Sequence, residues 1–183
     1  RPMRLALLAL AVLSATAYAN GRPPLTNGIF FKPNDPHSLY LRTTFGLLIS
    51  HDDGCTFDWI CEQNIGYGGP FDPKYAIAND GTIFATTFTG LRVSRDGGCS
   101  FTNTGPGVWI DAIDIGPSGE IWIGTAESGG PNDVFSSTDN GATWNSRGMQ
   151  SPSIWWKAVK VAPSNAQRVY IAGYQVAGTL PDG

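Results

Sequence analysis

Three aspartates, Asp52, Asp96 and Asp139, stand 44 and 43 positions apart, each among the same neighbours. A serine lies two residues before (Ser50, Ser94, Ser137) and a glycine two after (Gly54, Gly98, Gly141). A hydroxyl residue follows at the fourth position (Thr56, Ser100, Thr143) and an aromatic at the fifth (Phe57, Phe101, Trp144). Recurring carboxylates suggest acid–base chemistry, but glycoside hydrolysis by carboxylates needs two of them facing each other across the bond. The neighbours argue for a different role. Asp and Ser side chains bond to backbone N–H groups of their own turn. The glycine provides a positive-φ position, and the aromatic buries a large apolar area. The stretch therefore reads as a structural hairpin turn whose aromatic is buried between neighbouring sheets. No catalytic residue is assigned.

The remaining chemistry-bearing residues are scattered. His37 and His51 have no Asp or Ser at triad spacing and read as solvated, and Arg42, Arg92, Arg95, Arg147 and Arg168 read as surface charges. Asp52-Asp53-Gly54 lacks the acidic ladder of a calcium loop. Cys55, Cys61 and Cys99 with two histidines do not make a zinc pattern, so neither metal nor cofactor is expected. Three cysteines cannot all pair internally. Cys55 with Cys61 is the first choice, as a bridge across a hairpin, with Cys99 left to pair beyond residue 183. Trp109, Trp155 and Trp156 can form a sugar platform or fill a strand core. The Gly-rich insertion from residue 61 to 70, carrying Asn64 and Tyr67, reads either as a ligand loop or as a long connection. Candidate ligand-binding residues are thus Asn64, Tyr67, Trp109 and Trp155.

These residues are positioned by a repeat. Upstream of each turn, residues 28–49, 75–93 and 112–136 read as strand, tight turn, strand, short loop, strand. The tight turns are Asn34-Asp35-Pro36, Asn79-Asp80-Gly81 and Pro117-Ser118-Gly119, all strong turn signals. The strands are rich in β-branched and aromatic residues, as in Ile83-Phe84-Ala85-Thr86. A fourth unit begins at residue 157. Repeats are placed at about 25–63, 72–104, 108–147 and 154–183, and a period near 43 with four strands per unit is a propeller signature.

The pattern S-x-D-x-G-x-[ST]-[FW] resembles the Asp-box, or BNR repeat, of sialidase-type β-propellers. That resemblance implies an all-β fold, a β-propeller of four-stranded antiparallel blades, present here for about three and a half blades. It also implies that the boxes lie on the rim away from the binding face. The opening Gly28-Ile29-Phe30-Phe31-Lys32-Pro33 and Tyr40-Leu41-Arg42-Thr43-Thr44-Phe45-Gly46 resemble xyloglucanase-like endoglucanases, whose catalytic Asp falls on Thr44. Gly21-Arg22-Pro23-Pro24 shares only the Arg and the second Pro with the sialidase motif. Similar families that bind without catalysis include sortilin-like receptors and a photosystem assembly factor. Because three and a half blades do not close unaided, a longer native chain or self-pairing is expected.

The N-terminus has the layout of a secretory signal peptide over residues 1–19. Arg1 and Arg4 open it, Leu5 to Leu13 form an apolar core, and Ala17-Tyr18-Ala19 is a cleavage site. The apolar run is too short to span a membrane, so the mature chain is expected to be secreted, periplasmic or on the cell surface. The net charge of −3 argues against nucleic acid as a partner. With 23 Gly, 13 Pro and only 15% charged residues, the composition suits many short strands and turns. The expected function is an exported binding or scaffolding module for a carbohydrate or protein ligand. The alternative is a secreted glycoside hydrolase.

Overall fold

In the computed structural model, residues 23–176 are described; the signal peptide expected over residues 1–19 lies outside them. Short strands alternate with turns, as the repeat requires. The first sheet holds β1 (Thr26–Lys32), β2 (Asp35–Thr43), β3 (Gly46–Ser50) and β4 (Asp58–Cys61) in sequential antiparallel order. The second holds β5 (Tyr75–Ile77), β6 (Ile83–Thr87), β7 (Gly90–Ser94) and β8 (Thr102–Thr104). The third holds β9 (Ile110–Ile115), β10 (Ile121–Thr125), β11 (Val134–Ser137) and β12 (Asn145–Ser146), and β13 (Ile154–Ala162) pairs with β14 (Asn165–Gln175). One helical turn, α1 (Glu62–Ile65), occupies the insertion expected to be a loop. The Gly-rich run follows it, where Gly66 ends the turn in the left-handed region.

The sheets stack face to face. The first strands touch in succession, β1 on β5, β5 on β9 and β9 on β13, so they gather about a common axis while the fourth strands lie outward. Apolar residues from facing sheets fill the gaps. Between the first two sheets lie Tyr40, Leu47, Ile49 and Ile60 against Tyr75, Ile77, Ile83, Ala85 and Phe101. Between the second and third lie Phe84, Leu91 and Val93 against Ile110, Ile113, Ile121 and Ile123, with Trp144 packed alongside.

This stacking corrects one expectation. The turn aromatic packs onto the preceding sheet, which buries Phe101 to 8% exposure. Phe57 belongs to the first sheet, whose outward face is uncovered among the described residues. It is therefore 40% exposed, beside the exposed Ile29, Phe31 and Trp59.

The cysteine expectation is corrected as well. Cys55, Cys61 and Cys99 are all unpaired. Cys55 lies in the β3–β4 turn, whereas Cys61 pairs with Gly46 at the other end of that hairpin. The extended length of β4 separates the turn from Cys61. A disulfide needs Cα atoms within about 7 Å.

Candidate functional site

The three repeated turns are built alike. Ser50 Oγ donates to Asp52 Oδ1 at 2.7 Å and accepts from Gly54 N at 2.9 Å. Asp52 also accepts from Thr56 N at 2.8 Å and from Thr56 Oγ1 at 2.7 Å. Ser94, Asp96, Gly98 and Ser100 repeat the set, as do Ser137, Asp139, Gly141 and Thr143. Donors hold each carboxylate in its charged form, so its pKa is low. For Asp52 the main donors are the backbone N–H and hydroxyl of Thr56, and for Asp96 the hydroxyl and N–H of Ser100; both are lowered to about 2. Asp139 is lowered in the same way by Thr143. Carboxylates so held are poor proton carriers at neutral pH and good turn locks.

The connections between second and third strands, and between successive sheets, lie on the opposite rim. There the structure brings Trp109 and Trp155 together, with ring centroids 5.2 Å apart. Phe88, in the β6–β7 turn, lies 5.0 Å from Trp109, and Phe71, before β5, lies 4.5 Å from Phe88. Tyr174 continues the row 6.3 Å from Trp155, its cross-strand partner. Phe88 is 48% and Tyr174 57% exposed, so the row carries an accessible aromatic surface.

A charged group lies beside this row. Asp111, on β9, is buried and forms ion pairs with Lys74, at 3.1 Å, and with Lys157. The Lys74 ammonium also donates to the carbonyls of Asp111 and Lys157, at 2.6 and 2.8 Å. Lys157 sits 4.6 Å from the Trp109 ring centre and 5.7 Å from that of Trp155, within cation–π range. Glu127, in the β10–β11 connection, accepts the backbone N–H of Trp109 at 3.0 Å, and Asn132 fixes that connection from inside. The arrangement can stack an apolar face and offer charge and hydrogen bonds at its edge. Among the described residues no cluster of His, Cys, Asp and Glu is arranged to hold a metal ion.

The other candidates lie elsewhere. The Asn64 amide donates to the carbonyls of Gly98 and Cys99, tying α1 to the second turn. Tyr67 packs against the first core, with its hydroxyl beside that of buried Tyr75, whose pKa is pushed up mainly by burial. Thr44 is buried, donating to Pro23 O at 2.9 Å and accepting from Leu25 N at 3.1 Å. Arg92 is a clamp rather than a free surface charge, donating to Ile65 O, Phe101 O and Asn103. Phe71, Phe88, Tyr174, Asp111, Lys74 and Lys157 were not among the sequence candidates. The signal that could have found them is their place in the repeat, at the strand ends opposite the Ser-x-Asp-x-Gly turns.

Solved structures share this arrangement of sheets. An ancestral GH74 enzyme superposes with a TM-score of 0.63 at 20% identity, covering 84% of this chain and 22% of its own. The GH74 xyloglucanase from Xanthomonas campestris gives 0.62 at 18% identity, covering 83% and 27%. A putative gluconolactonase gives 0.53 at 15% identity, covering 87% and 67%. The fold is a β-propeller. Its blades are the four sheets, and the chain spans about a quarter of the length of the GH74 enzymes it matches. No protein-family model matches the chain, and no curated relative does.

Proposed function

We propose that this chain is an exported propeller module that binds a saccharide along the aromatic row of its loop rim. The observation carrying this reading is the Trp109–Trp155 pair, extended by Phe71, Phe88 and Tyr174 and edged by Asp111 and Lys157. Aromatic faces suit the apolar faces of sugar rings, while a few placed polar groups give orientation. The N-terminal segment, with its basic start, apolar run and Ala17-Tyr18-Ala19, supports export. On this reading the three Ser-x-Asp-x-Gly turns are Asp-boxes with a purely structural role.

The test is calorimetric titration with soluble β-glucans, xyloglucan included. Trp109→Ala and Trp155→Ala are expected to weaken binding about tenfold each, roughly 1.4 kcal/mol. Unchanged affinity in both variants, or no glycan bound by the parent chain, overturns the reading. A glycoside hydrolase is the second reading, favoured by the likeness to GH74 enzymes. Thr44, where that resemblance expects an Asp, weighs against it, since a hydroxyl cannot supply the carboxylate. Release of reducing ends from the same glucans decides between the two.

A further inference from the structure

Cys61 and Cys99 line the same cleft at the outer end of the junction between the first two blades. Ile60, the residue before Cys61, packs directly on Gly98, the residue before Cys99: a Cβ placed on Gly98 would stand 1.9 Å from Ile60 Cδ1. Cys61 is the N-cap of α1, and Asn64 is the third residue of that turn. The Asn64 amide in turn reaches Gly98 O at 2.9 Å and Cys99 O at 3.4 Å. Both cysteines line one cleft of about 530 Å³, together with Trp59 and Asn64.

The next junction repeats this contact with other residues. Thr104 Oγ1 donates to Gly141 O, so Gly105 and Ala142 occupy the places of Cys61 and Cys99. Cysteine therefore stands on both sides of one junction and on neither side of the next. Cys55 holds the repeat position of Cys99, but its turn borders the outward face of the first blade, uncovered among the described residues.

We propose that Cys61 and Cys99 form a disulfide under oxidising conditions, stapling the first blade to the second at the perimeter. With a small disulfide such as oxidised glutathione, the exposed Cys99 thiolate attacks one sulfur and expels one glutathione thiolate. The Cys61 thiolate then attacks the Cys99 sulfur of the mixed disulfide and expels the second. Two protein thiols are oxidised and one glutathione disulfide is reduced, so electrons and atoms balance. This inference does not depend on a bound saccharide.

The experiment exposes the folded full chain to oxidised glutathione, alkylates the remaining thiols, and maps peptides by mass spectrometry without reduction. The expected product joins the Cys61 and Cys99 peptides, lighter than their sum by two hydrogen atoms, with Cys55 alkylated or carrying one glutathione and outside the bridge. Cys55→Ser keeps this product, and Cys99→Ser loses it. Oxidation raises the melting temperature of the parent chain and of Cys55→Ser but not of Cys99→Ser, whose substitution lies in an exposed turn and leaves folding intact. Cys55 in the internal bridge, or Cys61 and Cys99 each alkylated or singly glutathionylated at the end of the reaction, overturns the proposal.

Discussion

Asp96 accepts three hydrogen bonds, from Ser94 Oγ, Ser100 N and Ser100 Oγ, at 2.8, 2.9 and 2.6 Å. Each is lost or weakened when the carboxyl group is protonated, which is why its pKa falls to about 2. Asp52 behaves alike, and Asp139 is lowered for the same reason. A carboxyl group whose pKa is lower folded than unfolded stabilises the fold above its unfolded value of about 4, and that contribution disappears as pH falls toward the folded value. The melting temperature is therefore expected to be flat near neutrality, to drop below about pH 4, and to keep dropping to about pH 2. Asp96→Asn should lower it at pH 7 and shorten the acid fall, because one titrating group is gone. Melting curves across pH check this, and a parent chain with no acid fall contradicts it.

At the scale of elements, the decisive feature is how closely each β-hairpin turn fits the blade before it. Gly98 has φ of +94° and lies against Ile60, so a side chain there meets both backbone strain and a steric overlap. Gly98→Ala is expected to cost about 2 kcal/mol or more, from left-handed backbone strain together with overpacking. In an Ile60→Ala background, where the overlap is gone but the strain is not, Gly98→Ala should cost less than in the parent chain, but still something, in urea unfolding. No cost in that background would show that packing alone sets the glycine there. No effect from Gly98→Ala would contradict the close contact between blades.

For the whole molecule, Lys74 carries the most consequential long-range contact. It leaves the start of β5 and bonds to the backbone of β9 and β13 and to the Asp111 carboxylate, joining three blades near the axis. Lys74→Met leaves two carbonyls without this donor and Asp111 with one lysine. The expected loss is about 1–2 kcal/mol, below the full cost of a buried orphan because the Lys74 side chain is 37% exposed. Asp111→Asn in the same chain should cost less than the sum of the two single variants, since the carboxylate and the ammonium are each other's partners. Additive losses in a double-mutant cycle would refute this coupling.

The repeating turns and the strand order around them were legible because their chemistry is local. Eight residues contain every donor and acceptor of a Ser-x-Asp-x-Gly turn, and a period near 43 sets the next copy. Trp109 and Trp155 were legible as candidates by residue type, but nothing in the chain said that they meet. Phe71, Phe88 and Tyr174 join them only because strand ends far apart in sequence gather on one rim. Asn64 and Tyr67, conspicuous in a Gly-rich insertion, were drawn instead into holding α1 and the first core. The Cys55–Cys61 pairing failed for a related reason: nearness in sequence along an extended strand means distance in space. The Phe57 plug depended on a covering sheet that is not found among the described residues. The sequence by itself determined hydrogen bonding within a turn, strand length and the period. Which faces meet, which aromatics form a row and which thiols share a cleft were decided by the stacking of sheets about an axis, because those contacts link residues that no local spacing relates.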